Sequence, residues 1–193
     1  MSTTEIAELI LRERQGRDRG WWDRMRACYA PDAIVRLSWF RGSGEEFVAR
    51  SREMTGHGDV ARHRLGPPVV DVDGPRAVAE VPAAIEVRTE LGGVEVDLTS
   101  YTRLLYRAEH RSGRWLITSL DPVYERDVLA PVVPGTPVPL GSLEGLRPSY
   151  RFLAQVLGTR GYPIADDLYG DDRPGEVADL YTTLYAWLSR KDS

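Results

Sequence analysis

Residues 62–126 read RHRLGPPVVDVDGPRAVAEVPAAIEVRTELGGVEVDLTSYTRLLYRAEHRSGRWLITSLDPVYER, and this stretch decides the fold. Asp73-Gly74, Gly92-Gly93 and Ser112-Gly113 divide it into four runs rich in apolar and β-branched residues. Such pairs suit two-residue hairpin turns, whose central positions take backbone angles that glycine adopts freely. The runs are expected as strands over Arg62–Val72, Arg76–Arg88, Val94–Glu109 and Trp115–Arg126. Gly66-Pro67-Pro68 marks an edge or bulge in the first, because proline cannot donate to a strand ladder. Strands joined in succession by tight turns form a meander, which is antiparallel.

Upstream of the meander the periodicity is helical. Ile6–Arg17 carries Ile6, Leu9, Ile10 and Glu13 on one face, until Gly16 and the polar Gly-Arg-Asp-Arg-Gly stretch break it. A short helix over Trp21–Tyr29 ends at Ala30-Pro31-Asp32, since the residue before a proline disfavours the α region. A strand over Ala33–Phe40 and a helix over Glu45–Met54 follow. Helices first and one curved antiparallel sheet after them give an α+β, two-layer arrangement. Long strands bending around the helical layer enclose a conical cavity.

Beyond Asp127 the character changes. Pro131, Pro134, Pro137 and Pro139 mark an extended linker, Arg147–Leu157 reads as a helix, and Pro174 opens a last helix over Gly175–Leu188. That helix aligns Val177, Leu180, Tyr181, Leu184 and Trp187, a face that packs on its own sheet or on a partner subunit. The expected division is a cone domain over 1–130 and a Pro-rich linker with a helical C-terminal extension over 131–193.

Composition narrows the function classes. Cys28 is the only cysteine, so neither an internal disulfide nor a thiolate metal cluster is available. The net charge is −4 and the arginines are scattered, which leaves no basic stripe for a nucleic acid or a membrane surface. No apolar run approaches the roughly 20 residues that cross a bilayer. The first residues lack the basic and apolar regions of a secretory signal, so a cytoplasmic location is expected. His57, His63 and His110 show no metal-ligand spacing, and Asp166, Asp167, Asp171 and Asp172 lack the spacing of a calcium loop.

The run Asp18-Arg19-Gly20-Trp21-Trp22-Asp23-Arg24-Met25, followed by Tyr29-Ala30-Pro31-Asp32-Ala33, resembles the opening of SnoaL-like proteins. So does Val94-Glu95-Val96-Asp97-Leu98 with Arg103, Tyr106 and Gly113-Arg114-Trp115-Leu116-Ile117. These proteins belong to the nuclear transport factor 2-like superfamily, and the resemblance implies its cone fold over about Ile6 to Asp127. The nearest catalytic pattern within it is that of scytalone dehydratase and the bile-acid dehydratases. Carried over residue by residue, it implies catalytic Asp18 and His63, a polar wall residue at Glu86 and an arginine at Arg126. The tyrosines that hold water in scytalone dehydratase fall here at Arg17 and Leu37, a departure from that chemistry. Trp39 or Tyr101 would have to supply a polar tip instead.

Asp18 and His63 form the candidate dyad. A carboxylate that holds an imidazole fixes its tautomer and suits it to move protons near neutral pH. The competing structural readings are a helix N-cap for Asp18 and a strand histidine satisfied by a carbonyl for His63. Glu86 contacts substrate or forms an ion pair with Arg126 or Arg103. Tyr124, two residues before Arg126, would share its face and donate a hydrogen bond. Trp39 and Trp115 would line the cone with other apolar side chains.

The expectation is a cofactor-independent lyase or isomerase for a small apolar ring-containing molecule, with no metal and assembled as a homodimer. The alternatives are a non-catalytic binding or assembly module and an accessory subunit like the β chains of ring-hydroxylating dioxygenases, which share the fold.

Overall fold

The structure is a computed structural model and describes residues 3–190. Helix α1 (Thr3–Arg19) and the short α2 (Trp22–Arg26) lead into β1 (Tyr29–Arg36), β2 (Arg41–Ser43) and α3 (Gly44–Gly56). Then come β3 (Ala61–Leu65), β4 (Val69–Asp73), β5 (Arg76–Leu91), β6 (Val94–Arg111) and β7 (Arg114–Pro131). The chain closes with α4 (Arg151–Thr159), β8 (Tyr169–Gly170) and α5 (Pro174–Leu188).

One curved, open sheet runs in the order β2-β1-β7-β6-β5-β3, with β4 also on β5 and β8 on β7. The β5-β6-β7 meander is antiparallel as expected. Gly92 and Gly93 take φ of 55° and 85° in the turn between β5 and β6, a pair of positive angles that side-chain-bearing residues resist. The Gly66-Pro67-Pro68 break splits the expected first strand in two, and β3 and β4 pair with different halves of β5.

Four expectations are corrected. The sheet is not wholly antiparallel, because β1 and β8 run parallel to β7. Strand β1 starts at Tyr29, where the sequence predicts the end of a helix. Pro31 is accommodated because the β1–β7 register is interrupted between Tyr29 and Ile34, so no ladder donor is lost there. Helix α4 starts at Arg151 rather than Arg147, since Pro148 disfavours helix at the residue before it. And α2 stops at Arg26, short of Tyr29.

Alternation along the strands sorts the side chains onto two faces. Ala77, Ala79, Val81, Leu104 and Tyr106 join Ile6, Ile10 and Met25 in the core beneath the N-terminal helices. Val78, Leu105 and Val123 point the other way and are covered by Leu180, Leu184 and Leu188 of α5. The apolar face read in the last helix thus packs on the chain's own sheet. Helix α4 supplies a second core at one end of the sheet, where Leu153, Ala154, Val156 and Leu157 meet Met54, Val87, Leu98 and Tyr124.

Candidate active site

Asp18 lies in the last turn of α1, and the structure rules out the N-cap reading: the cap of α2 is Trp21. A carboxylate at a helix C-terminus is electrostatically unfavourable by about 0.3–1 kcal/mol, so its reason lies elsewhere. That reason is His63 on β3. Asp18 Oδ1 is 2.6 Å from His63 Nδ1, and Oδ2 accepts the His63 main-chain N–H at 2.7 Å. β3 is an edge strand, so every second N–H along it lacks a strand partner, and Asp18 takes one of them. The structure brings the predicted pair together.

The hydrogen bond to Asp18 puts the ring proton on Nδ1 and leaves Nε2 with a lone pair. Arg14 Nη1 approaches that nitrogen at 3.4 Å. Burial lowers the His63 pKa below its ordinary value, and the Arg14 and Arg17 cations press the same way against the pull of Asp18. Burial would raise the Asp18 pKa, but the hydrogen bonds from His63 and the nearby Arg14 cation outweigh it and hold it down. The resting pair is an ionised aspartate and a neutral imidazole.

Sequence reasoning missed the polar floor beneath this pair. Glu13, fully buried, accepts hydrogen bonds from Tyr29 Oη at 2.9 Å and Tyr106 Oη at 3.3 Å, and its carboxylate is clasped by the Arg14 guanidinium. Burial opposes the charge of Arg14, but Glu13 more than offsets it and the pKa is raised. Arg17 is also buried, yet among the described residues its side chain donates hydrogen bonds only to Thr55 Oγ1 and Met54 Sδ, each at 3.4 Å. Burial first, then Arg14, brings its pKa down to about 10. The signal was present: Ile6, Ile10, Glu13 and Arg17 recur at helical spacing, so two charges sit on the stripe that faces the core.

Arg14, Arg17 and His63 open onto a cavity of about 60 Å³, otherwise walled by Trp39, Phe47, Met54, Ile85, Val87 and Tyr124 among others. Leu153 and Leu157 of α4 close it. The helix is held over the opening by the Asp127 carboxylate, which accepts the Leu153 N–H at 2.8 Å, and by an ion pair between Arg160 and Asp59. Tyr124 Oη accepts the Ser38 main-chain N–H at 3.0 Å and keeps its own proton free to donate. Burial raises its pKa to about 12, so it stays a phenol. Trp39 and Tyr124 are where the sequence places them, on the cavity wall.

Glu86, Tyr101, Trp115 and Arg126 are not, and each displacement has a physical cause. His63 stands opposite Ile85, so alternation turns Glu86 to the outer face, where it pairs with Arg64 at 3.0 Å. Arg103, its other expected partner, binds Glu80 and Glu125 instead. On β7 the register shifts at Glu125: Thr102 faces Tyr124 but Tyr101 faces Arg126. This bulge puts Tyr124 inside and Arg126 outside, stacked over Tyr101 at 4.2 Å. It also turns Asp127 inward to hold α4. Trp115 is buried in the main core against His110, at a ring separation of 5.4 Å, and does not reach the cavity. Trp22, Leu65, Val81, Leu98 and Ile117 likewise fill packed cores instead of lining a void.

His57 caps the end of α3. Asp167 pairs with Arg41, and Asp172 with the buried Arg147, which also binds main-chain oxygens of Asp166 and Leu168. Cys28 is buried, and burial pushes its thiol up to about 12. Among the described residues no three His, Cys, Asp or Glu side chains converge to hold a metal ion, and no helix is long and apolar enough to cross a membrane.

Fold and site define a cone-fold protein with a clamped imidazole facing an enclosed, mainly apolar cavity. The SnoaL-like domain family matches residues 2–121, and the chain belongs to it. It is 30% identical over 183 residues to Pea pathogenicity protein 2 of Fusarium vanettenii, covering 91% of this chain and 78% of that one. Identity is again 30% to an uncharacterised protein of Emericella nidulans, covering 91% and 81%. Among solved structures the fold is that of a hexachlorocyclohexane dehydrochlorinase, with a TM-score of 0.57 and 13% identity over 72% of this chain and 94% of that one. It is also that of a putative scytalone dehydratase of Novosphingobium aromaticivorans, with a TM-score of 0.54 and 14% identity over 72% and 93%. The SnoaL-like domain match ends within β7, before α4 and α5.

Proposed function

We propose that the protein is a cofactor-independent lyase, or an isomerase of the same proton chemistry, acting on a small apolar ring-containing molecule. The observation that carries this reading is the Asp18–His63 contact: a neutral imidazole, its tautomer set by a carboxylate, stands in the wall of a mainly apolar cavity, with Arg14 3.4 Å from its Nε2. Nε2 accepts a proton from a carbon of the bound ring, and Asp18 stabilises the imidazolium that forms. Tyr124, a neutral phenol on the same wall, donates a hydrogen bond to an oxygen of the substrate. The dehydratase and dehydrochlorinase whose folds this chain shares are named for eliminations, which agrees with the proposed class. The test is a panel of ring-bearing alcohols and halides whose elimination creates a conjugated chromophore. Turnover by the wild type and its loss in His63→Ala supports the reading; equal turnover in both overturns it.

A second reading, a non-catalytic binding module, draws on the size of the cavity. At about 60 Å³ it holds only a few waters at roughly 15 Å³ each. A ring therefore enters only if α4 yields, and saturable binding without turnover would favour this reading. The homodimer remains a proposal. It would have to form on surface other than the part of the outer sheet that α5 occupies.

A further inference from the structure

We propose that the outer face of the sheet carries a second binding site, for a free zwitterionic peptide of three or four residues. The peptide's carboxylate docks on Arg107 and its ammonium on Asp179. The site is separate from the Asp18–His63 cavity and does not depend on what that cavity does.

Between α5 and the outward side chains of β1, β6 and β7 runs an open groove of about 670 Å³. Register sets its floor: Ser119 of β7 stands between Arg107 on β6 and Ile34 on β1, and Ile34 is 57% exposed. One side is the α5 stripe Glu176, Asp179, Leu180, Thr183 and Trp187. Most charges in the groove are paired. Arg36 binds Asp121 at 3.0 Å and Arg111 holds both Asp32 and Glu109. Asp167 meets Arg41, and Glu176 meets Arg173 at 3.5 Å. Two charges are left over. Arg107 stacks on the Trp187 ring at 5.2 Å, and among the described residues no carboxylate pairs with it. Its Nε is buried without a hydrogen-bond partner among those residues, as are the hydroxyls of Ser119 and the adjacent Thr118. Asp179, exposed on α5, likewise has no ion pair among the described residues.

A guanidinium with hydroxyls at its foot is a donor set for a carboxylate. A plain anion would also meet the repulsion of the groove, which is lined by Asp32, Glu109, Asp121, Asp167, Glu176 and Asp179 against three arginines. The ligand must therefore bring its own cation, and Asp179 is the carboxylate open to receive it. Along α5, Asp179 and Trp187 are about 12 Å apart at a rise of roughly 1.5 Å per residue. An extended chain covers roughly 3.3–3.6 Å per residue, so three or four residues span the two charges and a single amino acid does not. Ile34 and Leu180 give the groove apolar surface for the side chains in between. A sugar would find the Tyr169 and Trp187 rings already stacked with Arg36 and Arg107.

The test is an NMR titration of the intact protein with the tetrapeptide Ala-Leu-Leu-Ala, its C-terminal amide and its N-acetyl form. The free tetrapeptide should bind at millimolar concentration or below and shift the signals of Arg107, Ser119 and Asp179. Each capped form should bind roughly 10-fold or more weakly. Arg107→Met should bind acid and amide alike, and Arg107→Lys should restore part of the preference for the acid. Asp179→Asn should bind the free and N-acetyl forms alike. His63→Ala should bind as the wild type does, which separates this site from the cavity. Equal binding of free and amidated peptide by the wild type, or no binding of the free peptide, overturns the proposal without recourse to any variant. A preference for the acid that N-acetylation leaves intact also overturns it, and points to the C-terminal tail of a protein as the occupant.

Discussion

Asp18 commits both of its oxygens to His63, one to the ring at 2.6 Å and one to the main-chain N–H at 2.7 Å. The clamp sets the tautomer and the ring position together, because the same side chain grips the backbone that carries the ring. Asp18→Asn keeps the shape but removes the charge that supports the imidazolium. Activity on the substrate found in the elimination panel should fall roughly 10²–10⁴-fold. The Asp18→Asn, His63→Ala double variant should lose little more than His63→Ala alone, since the two act as one unit. Additive losses in that cycle would show that the residues act independently.

The pH dependence has a definite sign. His63 has a folded-state pKa below its ordinary value of 6.5, because burial and two arginines favour the neutral ring. The rate of proton abstraction should therefore rise with pH through a value below 6.5 and stay flat above it. The same shift contributes stability that is fully present above 6.5 and is lost as pH falls toward the lowered pKa, because the unfolded chain binds the proton first. Denaturant melts between pH 7 and pH 5 should show the decline in the wild type and a smaller one in His63→Gln.

Helix α4 has to move for a ring to enter. Leu157 packs into the closing wall, so Leu157→Ala should cost about 2–5 kcal/mol of stability if the wall does not collapse. The same change should speed the association of 4-nitrotoluene measured by stopped flow. Asp127→Ala removes the acceptor of the Leu153 N–H and should loosen the start of α4, at about 1 kcal/mol. Faster hydrogen exchange confined to residues 151–159 would report it. Unchanged association rates in both variants would mean that ligand enters by another route.

Glu86 and Arg126, which the family pattern assigns to the site, point to the outer surface. Glu86→Gln and Arg126→Ala should leave activity near the wild-type level and shift stability by no more than about 0.5 kcal/mol. A large loss of kcat in either would contradict the outward placement.

The hairpin pairs and the alternation of residues 62–126 made the meander readable, since both signals are local and depend on a few neighbouring residues. The dyad was readable for a different reason: an aspartate and a histidine sit where a family pattern holds them. The stripe Ile6, Ile10, Glu13, Arg17 also carried its message in plain spacing, though only the buried structure separates Arg14, clasped by Glu13, from Arg17, which has no carboxylate partner among the described residues.

What the sequence determined by itself is therefore the meander of long strands, the helical layer before it and the face that α5 would bury. What only the tertiary structure decided is which way the side chains of the long strands point and what covers the cavity. One extra residue at Glu125 reverses the alternation along β7, so Tyr124 and Asp127 face inward while Arg126 faces out. Nothing in the local pattern of that strand announces the bulge, because it depends on how β7 matches β6 along their whole length. The docking of α4 is likewise a long-range event, fixed by Asp127 and Asp59, residues far from it in the chain.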